Sequence, residues 1–247
     1  MLEVKNLKKD FGRFEAVKGI SFTVSKGEVL GFLGPNGAGK STTMRMITGF
    51  LPPTSGTAVI CGHDIAAEPV EAKRCIGYLP ESAPSYRSMV VCEYLKFIAE
   101  IRGFRGRAAK EAVERVIAQA HLEPVAKKTI ETLSKGYRQR TCFAQAIIHD
   151  PKVLIMDEPT DGLDPNQKYT VREMIKEMAA EKAIVISTHI LEEVDAVCTR
   201  AVVIADGEVK ADGTPAKLKA MDPSGRLDVV FRNLTGGGAA AGKEASK

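Results

Sequence analysis

The clearest chemical signal in the sequence is the run GPNGAGKS at residues 34–41, which fits the pattern G-x-x-x-x-G-K-[ST]. Glycines let backbone N–H groups turn inward around phosphate oxygens, and a following helix points its positive end at the same anion. Lys40 can reach the β- and γ-phosphates of a nucleotide, and Ser41 can bind Mg²⁺. The run follows a predicted strand and opens a predicted helix, so the sequence predicts a nucleotide site here.

A second signal lies where the apolar run 153–156 ends in two carboxylates, Asp157 and Glu158. Ligands gather at the carboxyl ends of parallel strands, so we expect these acids near the glycine loop. Asp157 would hold Mg²⁺ through water, and Glu158 would orient or deprotonate the water that attacks the γ-phosphate. Alone, two acids after a strand are equally typical of a solvated loop, and it is the glycine loop that favours the catalytic interpretation.

The elements that must position these residues alternate between strand and helix patterns. The predicted strands are 2–4, 20–24, 29–33, 58–60, 76–80, 153–156 and 184–187, with a hairpin of 202–204 and 208–210 around Asp206-Gly207. The predicted helices are 41–49, 93–102, 108–121, 134–149, 167–180 and 190–196. Strands separated by helices predict an α/β fold with a parallel sheet.

Composition excludes several classes of protein. The chain has 247 residues, and its 35 Lys and Arg against 31 Asp and Glu give a net charge of +4, too weak to demand a nucleic-acid partner. No apolar run approaches the ~20 residues of a membrane span, and the first residues lack an apolar signal region, so we expect neither a span nor secretion. Five cysteines without Cys-x-x-Cys spacing predict reduced thiols, and four histidines show no zinc spacing.

Further segments resemble the motifs of ATP-binding-cassette (ABC) ATPases, in order and spacing, from about residue 2 to residue 215. The run LSKGYRQR at 133–140 resembles the signature motif, DGLD at 161–164 the D-loop, and STH at 187–189 the segment of the switch histidine. Phe11 stands where the family places an aromatic ring against adenine. The run 227–235 is similar to the end of ABC-2-type exporter ATPases of the gliding-motility, copper-maturation and drug-export subgroup.

The resemblance implies an α/β P-loop NTPase core with a mixed, mainly parallel sheet, an N-terminal antiparallel β part and an inserted helical subdomain. A single domain would cover residues 1–235, with 1–81 and 151–235 as the catalytic core and 82–150 as the helical signature subdomain. The Gly- and Ala-rich residues 236–247 are expected to form a flexible tail.

The resemblance also implies that the protein binds ATP and Mg²⁺, and it implies which residues form the site. The nucleotide-binding residues would be Phe11, Gly34, Pro35, Asn36, Gly37, Ala38, Gly39, Lys40, Ser41 and Thr42. The catalytic residues would be Lys40, Glu158 and His189, and the metal ligands Ser41, Asp157 and Glu81. In a head-to-tail dimer, the partner's site would receive Ser134, Lys135, Gly136 and Tyr137 of the signature and Asp164 of the D-loop. Taken singly, His189, Ser134 and Phe11 are also ordinary strand-end, N-cap and packing residues.

The sequence departs from the family at two places. Glu81 stands where a glutamine normally senses Mg²⁺ and the attacking water, and we hypothesise that it keeps the metal and coupling role, since a carboxylate can bind Mg²⁺. Lys135 and Tyr137 replace the usual Gly and Gln of the signature, whereas Ser134 and Gly136, which contact phosphate in the family, are present.

The function that the resemblance implies is an Mg²⁺-dependent ATPase that powers an ABC exporter through a separate multi-span permease. It would pair with a second copy or a paralogous ATPase, bind no nucleic acid, and lie on the cytoplasmic face of the membrane. The alternatives are a soluble ABC-type ATPase outside transport, a P-loop phosphotransferase and a non-hydrolysing binding module.

Two surface features have interpretations that the sequence leaves open. Tyr86 and Met89 are candidate anchors for the permease, or else pack within the helical block. Arg102, Arg105 and Arg107 form a basic cluster that would face anionic lipid, or else a solvated loop between helices.

Overall fold

Two sheets and a block of helices make up the fold. The computed structural model describes residues 1–82 and 85–236. The strands are β1 (Leu2–Phe11), β2 (Phe14–Val24), β3 (Val29–Leu33), β4 (Ser55–Ile60), β5 (His63–Asp64), β6 (Ile76–Leu79), β7 (Val153–Asp157), β8 (Ala183–Thr188), β9 (Arg200–Ala205) and β10 (Glu208–Gly213). The helices are α1 (Lys40–Ile47), α2 (Pro69–Arg74), α3 (Val91–Ile101), α4 (Gly106–Gln119), α5 (Lys135–Ile147), α6 (Pro165–Ala179), α7 (Leu191–Val197), α8 (Pro215–Lys219) and α9 (Leu227–Leu234), with short 3₁₀ turns at 123–125 and 130–132.

The smaller sheet is antiparallel, with strand order β2-β1-β4-β5. Strands β1 and β2 run to a tight hairpin in which Phe11 is paired with Phe14. They are much longer than the predicted strands 2–4 and 20–24, so the predicted lengths were wrong. Leu2, Val4 and Leu7 point into the core, and the exposed charged residues between and after them hide the strand pattern.

The larger sheet has the order β10-β9-β3-β8-β7-β6, in which β10 alone is antiparallel to its neighbour. Every residue of β3, β7 and β8 is buried, as expected for parallel strands covered on both faces. This confirms the predicted mixed, mainly parallel α/β fold with an antiparallel β part. The carboxyl ends of β3, β8 and β7 are neighbours, so the residues that follow these strands meet at one edge.

Two apolar cores flank the larger sheet. One lies between the sheets and encloses Met44, Met46 and Ile47 of α1. The other covers the opposite face, where α3, α4, α5, α6 and α7 pack. Helix α1 is therefore held between the sheets with its first turn at the edge where β3 ends.

Several predicted elements differ from the structure at their ends. The helices predicted at 93–102, 108–121 and 134–149 begin at Val91, Gly106 and Lys135, and α2, α8 and α9 were not predicted. All five cysteines lie among the described residues, and none forms a disulfide. No helix within residues 1–82 and 85–236 is long and apolar enough to span a membrane. Residues 237–247 of the predicted tail lie outside the described part of the chain.

Candidate nucleotide site

A cavity of about 530 Å³ opens at the edge where β3, β7 and β8 end. It is lined by Phe11, Phe14, Ala16, Asn36, Gly37, Gly39, Lys40, Ser41, Thr42, Glu81, Glu158, Asp161 and His189. The structure thus brings together the glycine loop, the first turn of α1, the acid after β7 and the histidine after β8. These segments are up to about 150 residues apart in the sequence, and the order of the parallel strands places them side by side.

The glycine loop turns sharply between β3 and α1. Gly39 has φ of +100°, a backbone conformation that glycine adopts without strain, and a Cβ there would lie only 2.5 Å from the carbonyl oxygen of Ala16. Gly39 is also the N-cap of α1, and it offers no side chain to the first-turn amides. No acid lies in that turn, so the positive end of α1 is open to an anion.

The ammonium group of Lys40 lies inside the loop. Its Nζ donates to the carbonyl oxygens of Gly34 at 2.8 Å and Pro35 at 3.2 Å, and it lies 3.8 Å from Oε1 of Glu158. Burial lowers the pKa of Lys40, and the negative charges of Glu158 and Asp157 oppose that shift. The pair of carboxylates thus keeps a positive charge in a buried position beside the loop.

Oxygen atoms suited to a magnesium ion lie behind the loop. Ser41 Oγ donates to Asp157 Oδ1 at 3.2 Å, and Ser187 Oγ donates to the same carboxylate oxygen. Hydroxyl and carboxylate oxygens are the ligands Mg²⁺ prefers, and Mg²⁺ is usually held by one or two carboxylates together with substrate phosphates. Among the described residues, no group of three or more His, Cys, Asp or Glu side chains could hold a metal ion.

Glu158 has an unusual backbone and an unsatisfied side chain. Its φ is +49°, a conformation that costs a residue with a Cβ about 1–2 kcal/mol. The backbone N–H of Glu158 donates to the carbonyl oxygen of Ser187 at 3.1 Å and so holds this conformation. The residue is only 9% exposed, and Oε2 has no hydrogen-bond partner within the described chain. A buried carboxylate oxygen without a partner is costly, so this atom is placed to accept a proton or hydrogen bond from a bound group.

His189 faces Glu158 across the ends of two neighbouring strands. Its Nδ1 lies 3.0 Å from Oε1 of Glu158, and because an ionised carboxylate only accepts, Nδ1 carries the proton. That leaves Nε2 on the far side of the ring, in a side chain that is 44% exposed and lines the cavity. Glu158 and His189 are thus one hydrogen-bonded unit.

Two aromatic side chains lie at the outer end of the cavity. Phe11 is 52% exposed, and Lys9 Nζ lies 5.2 Å from its ring centroid. Phe14, which the sequence reasoning missed, is 61% exposed and lines the same cavity. Exposed aromatic rings beside a phosphate loop are suited to stack on a base. The F-x-x-F spacing around the turn at Gly12 could have indicated that Phe14 lies beside Phe11.

Other predicted residues lie outside the cavity. Ser134 caps α5 by accepting from the N–H of Tyr137 at 3.4 Å, and Asp164 caps α6 by accepting from the N–H of Gln167 at 3.0 Å. The signature residues Ser134, Lys135, Gly136 and Tyr137 do not line the cavity of their own chain. The D-loop residue that does so is Asp161, whose carboxylate lies 3.9 Å from Lys135 Nζ.

Tyr86 lies in a second, apolar cavity of about 340 Å³ between the helices, near Phe97 and Ile101. Its ring is 59% exposed and packs edge-on against the rings of Tyr94 and Phe97. Met89, by contrast, is partly buried against the core.

The three arginines each bind within the chain. Arg102 donates to the carbonyl oxygen of Lys73 at 3.4 Å, Arg105 to that of Glu100, and Arg107 donates to Glu111 at 2.6 Å. These contacts favour an inter-helix loop over a lipid-facing cluster.

Known proteins share both the sequence pattern and the fold. The family model described as "ABC transporter" matches residues 17–161. The linearmycin resistance ATP-binding protein LnrL of Bacillus subtilis is 41% identical over 219 residues, covering 88% of this chain and 70% of that protein. The probable multidrug ABC transporter ATP-binding protein YbhF of Escherichia coli is 36% identical over 221 residues, covering 89% of this chain and 38% of that protein.

Among solved structures, the ATP-binding subunit of an ABC transporter superposes with a TM-score of 0.84 at 30% identity. The match covers 95% of this chain and 99% of that one, so it includes both sheets and the helical block.

Proposed function

The chain belongs to the ABC transporter family of ATP-binding proteins, and from that premise we propose that it is the Mg²⁺-dependent ATPase subunit of an exporter. The observation that carries this proposal is the buried Glu158 carboxylate, which has one oxygen bound to His189 and the other without a partner, beside the Lys40 ammonium. A base, a cation and a helix N-terminus around one cavity are the groups that phosphoryl transfer to water requires.

Each residue then has a defined task in hydrolysis. The amides of the glycine loop and first turn of α1 hold the phosphates, and Lys40 stabilises negative charge on the transferred group. Glu158 Oε2 accepts a hydrogen bond from the attacking water and takes its proton. His189 donates to Oε1 through Nδ1, which orients the carboxylate, and its Nε2 side faces the γ-phosphate. Phe11 and Phe14 hold the base by stacking.

The oxygen atoms of Ser41 and Asp157 would hold the magnesium ion, with Glu81 as a further carboxylate at the edge of the cavity. Bound there, the ion would neutralise charge on the phosphates. Ser187 fixes the orientation of Asp157 by donating to its Oδ1.

We propose that two chains act together, head to tail, as one functional unit. The signature residue Ser134 caps α5 and Gly136 lies in its first turn, yet both lie outside the cavity of their own chain. In the dimer these residues and the positive end of α5 close the partner's site, and Asp164 reaches across the interface. The division into a core (1–81 and 151–235) and a signature subdomain (82–150) lets the two faces of one chain serve different sites.

The partner in the membrane would be a separate permease, with the ATPase on its cytoplasmic face. The groove around Tyr86, Phe97 and Ile101 presents exposed apolar side chains, and aromatic groups of this kind form the core of many interfaces. The printed names of LnrL and YbhF, a resistance protein and a probable multidrug transporter component, support export for this chain.

Two measurements test the proposal. The purified chain should hydrolyse ATP only with Mg²⁺, and Glu158→Gln should remove turnover while keeping ATP binding. Tagged Glu158→Gln protein, purified from detergent-solubilised membranes of its source with ATP and Mg²⁺, should retain a stoichiometric multi-span membrane protein. Recovery of only soluble partners, or of none despite an ATP-dependent dimer, would instead identify an ABC-type ATPase outside transport.

A further inference from the structure

A buried ion pair joins α6 to α7. Arg172 on α6 donates from Nε to Glu193 Oε2 at 3.1 Å and from Nη2 to Oε1 at 2.6 Å. Glu193, in the first turn of α7, is 3% exposed, and the Arg172 side chain is 21% exposed. Burying a carboxylate is costly, and Glu193 has no part in the hydrolysis described above. Its burial therefore needs an explanation.

Both helices lead directly to the site. Helix α6 begins at its N-cap Asp164, and the carboxamide of Gln167 in its first turn lies where a Cβ on Gly136 would be, against the start of α5. Helix α7 begins two residues after His189. The pair therefore links the helix that starts at the D-loop and touches the signature to the helix that follows the switch histidine.

Stability alone does not explain this choice of residues. Well-packed apolar side chains often replace a buried ion pair with no loss of stability, and apolar Val171, Met174, Ile175 and Val194 already pack in the same core. What two parallel N–H···O bonds add is a fixed distance and angle between the helices.

We propose that Arg172 and Glu193 are positioning residues that hold α7 so that His189 stays against Glu158, and that make His189 follow any movement of α6. This inference rests on the proposed function, in which α6 meets the partner chain through Asp164. It gives each chain a route by which closure of the dimer reaches its own catalytic pair.

The test compares wild-type protein with Glu193→Gln, which keeps the size of the side chain but removes the charge. We expect kcat for ATP to fall roughly tenfold or more with KM changed by less than about twofold, because the geometry of the reacting groups changes and ground-state binding does not. Asp212→Asn is the control: it alters another bidentate pair, with Arg200, neither of which lines the cavity, and should leave kcat unchanged.

A second readout does not depend on turnover. Long-range ¹H–¹⁵N spectra should resolve the side chains of the four histidines, with His189→Gln assigning one set. Glu193→Gln should shift the Nδ1 signal of His189, and Asp212→Asn should not. If Glu193→Gln does not fold, the double variant Arg172→Met/Glu193→Leu should give the same shift, because it leaves no buried charge unpaired and only the exposed Glu192, 4.0 Å from Arg172, loses a partner.

The outcomes separate the two proposals. His189 signals that stay unchanged in a folded variant lacking the pair would overturn the inference. Wild-type protein without ATPase activity would overturn the proposed function, and the His189 shift would still decide whether the ion pair positions the histidine.

Discussion

His189 Nδ1 and Glu158 Oε1 lie 3.0 Å apart, on segments that leave the neighbouring strands β8 and β7. The two residues are 31 positions apart in the chain, and the parallel register of Asp157 with Ser187 sets their distance. One oxygen of the carboxylate is thus used for orientation and the other stays available for the reaction.

This contact predicts that the two residues act as a unit. Glu158→Gln and His189→Ala should each lower kcat for ATP by about 100-fold or more, and the double variant should be little slower than the slower single variant. Steady-state ATPase assays at saturating ATP and Mg²⁺ measure all three. Effects that multiply in the double variant would mean that His189 acts apart from Glu158.

A second prediction concerns Glu81, which lines the cavity where the family has glutamine. Glu81→Gln should raise the Mg²⁺ concentration for half-maximal ATPase activity by about fivefold, because it removes a negative charge worth ~1 kcal/mol at ~4 Å in water. Glu123→Gln, at an exposed residue that does not line the cavity, is the control. An unchanged rate, Mg²⁺ dependence and coupling would exclude a special role for the acid.

The third prediction tests the pair of aromatic rings. Phe11→Ala and Phe14→Ala should each raise KM for ATP with kcat nearly constant, since stacking on a base contributes about 1–3 kcal/mol and is the same in ground and transition states. Phe50→Ala removes a ring that is even more exposed and lies outside the cavity, with its centroid 5.5 Å from that of Tyr78, and should leave KM unchanged. A Phe14→Ala enzyme with wild-type KM would restrict base binding to Phe11.

The fourth prediction concerns His149 at the end of α5. Burial, with the positive charge of Arg102, lowers its pKa to about 4, and its Nε2–H donates to the carbonyl oxygen of Ile76 at 2.9 Å. The unfolded chain binds this proton near pH 6.5 and the folded chain only near pH 4, so stability falls as the pH drops between these values, by about 3 kcal/mol.

Urea unfolding from pH 7.5 to pH 4 measures that loss. His149→Gln keeps a side-chain donor for the carbonyl oxygen of Ile76 but has no imidazole to protonate. Its free energy of unfolding should therefore lose about 3 kcal/mol less than that of the wild type over this pH interval. His121→Asn, at an exposed residue with φ of +49°, should keep the wild-type slope. Equal slopes for His149→Gln and wild type would remove His149 as the cause.

The parallel strands of the larger sheet, and the positions of the polar residues that follow them, could be predicted from the sequence. Lys40, Ser41, Asp157 and Glu158 are local features of strand–turn patterns, and the rule that parallel strands bring their carboxyl ends together places them. The hairpin around Asp206-Gly207 likewise follows from turn chemistry alone and was confirmed.

The features that could not be predicted from the sequence depend on contacts that local patterns do not reveal. Phe14 is opposite Phe11 because of a hairpin register that the charged residues of β1 conceal. The contact of Arg172 with Glu193 joins two helices across a strand, and no periodicity indicates it. Helix α9 is short, and the resemblance of residues 227–235 carried no prediction of its structure.

The order β3-β8-β7 also has a consequence for synthesis. Strand β8 pairs with both β3 and β7, yet the ribosome makes it after them, so these two strands are joined in one sheet only after residue 188 has emerged. Pairing β8 with β3 requires contacts between residues more than 150 positions apart in the chain. Contacts of such long sequence separation form slowly during folding. A nascent chain therefore carries its glycine loop early but acquires His189, and with it the hydrogen-bonded pair of Glu158 and His189, only about 150 residues later.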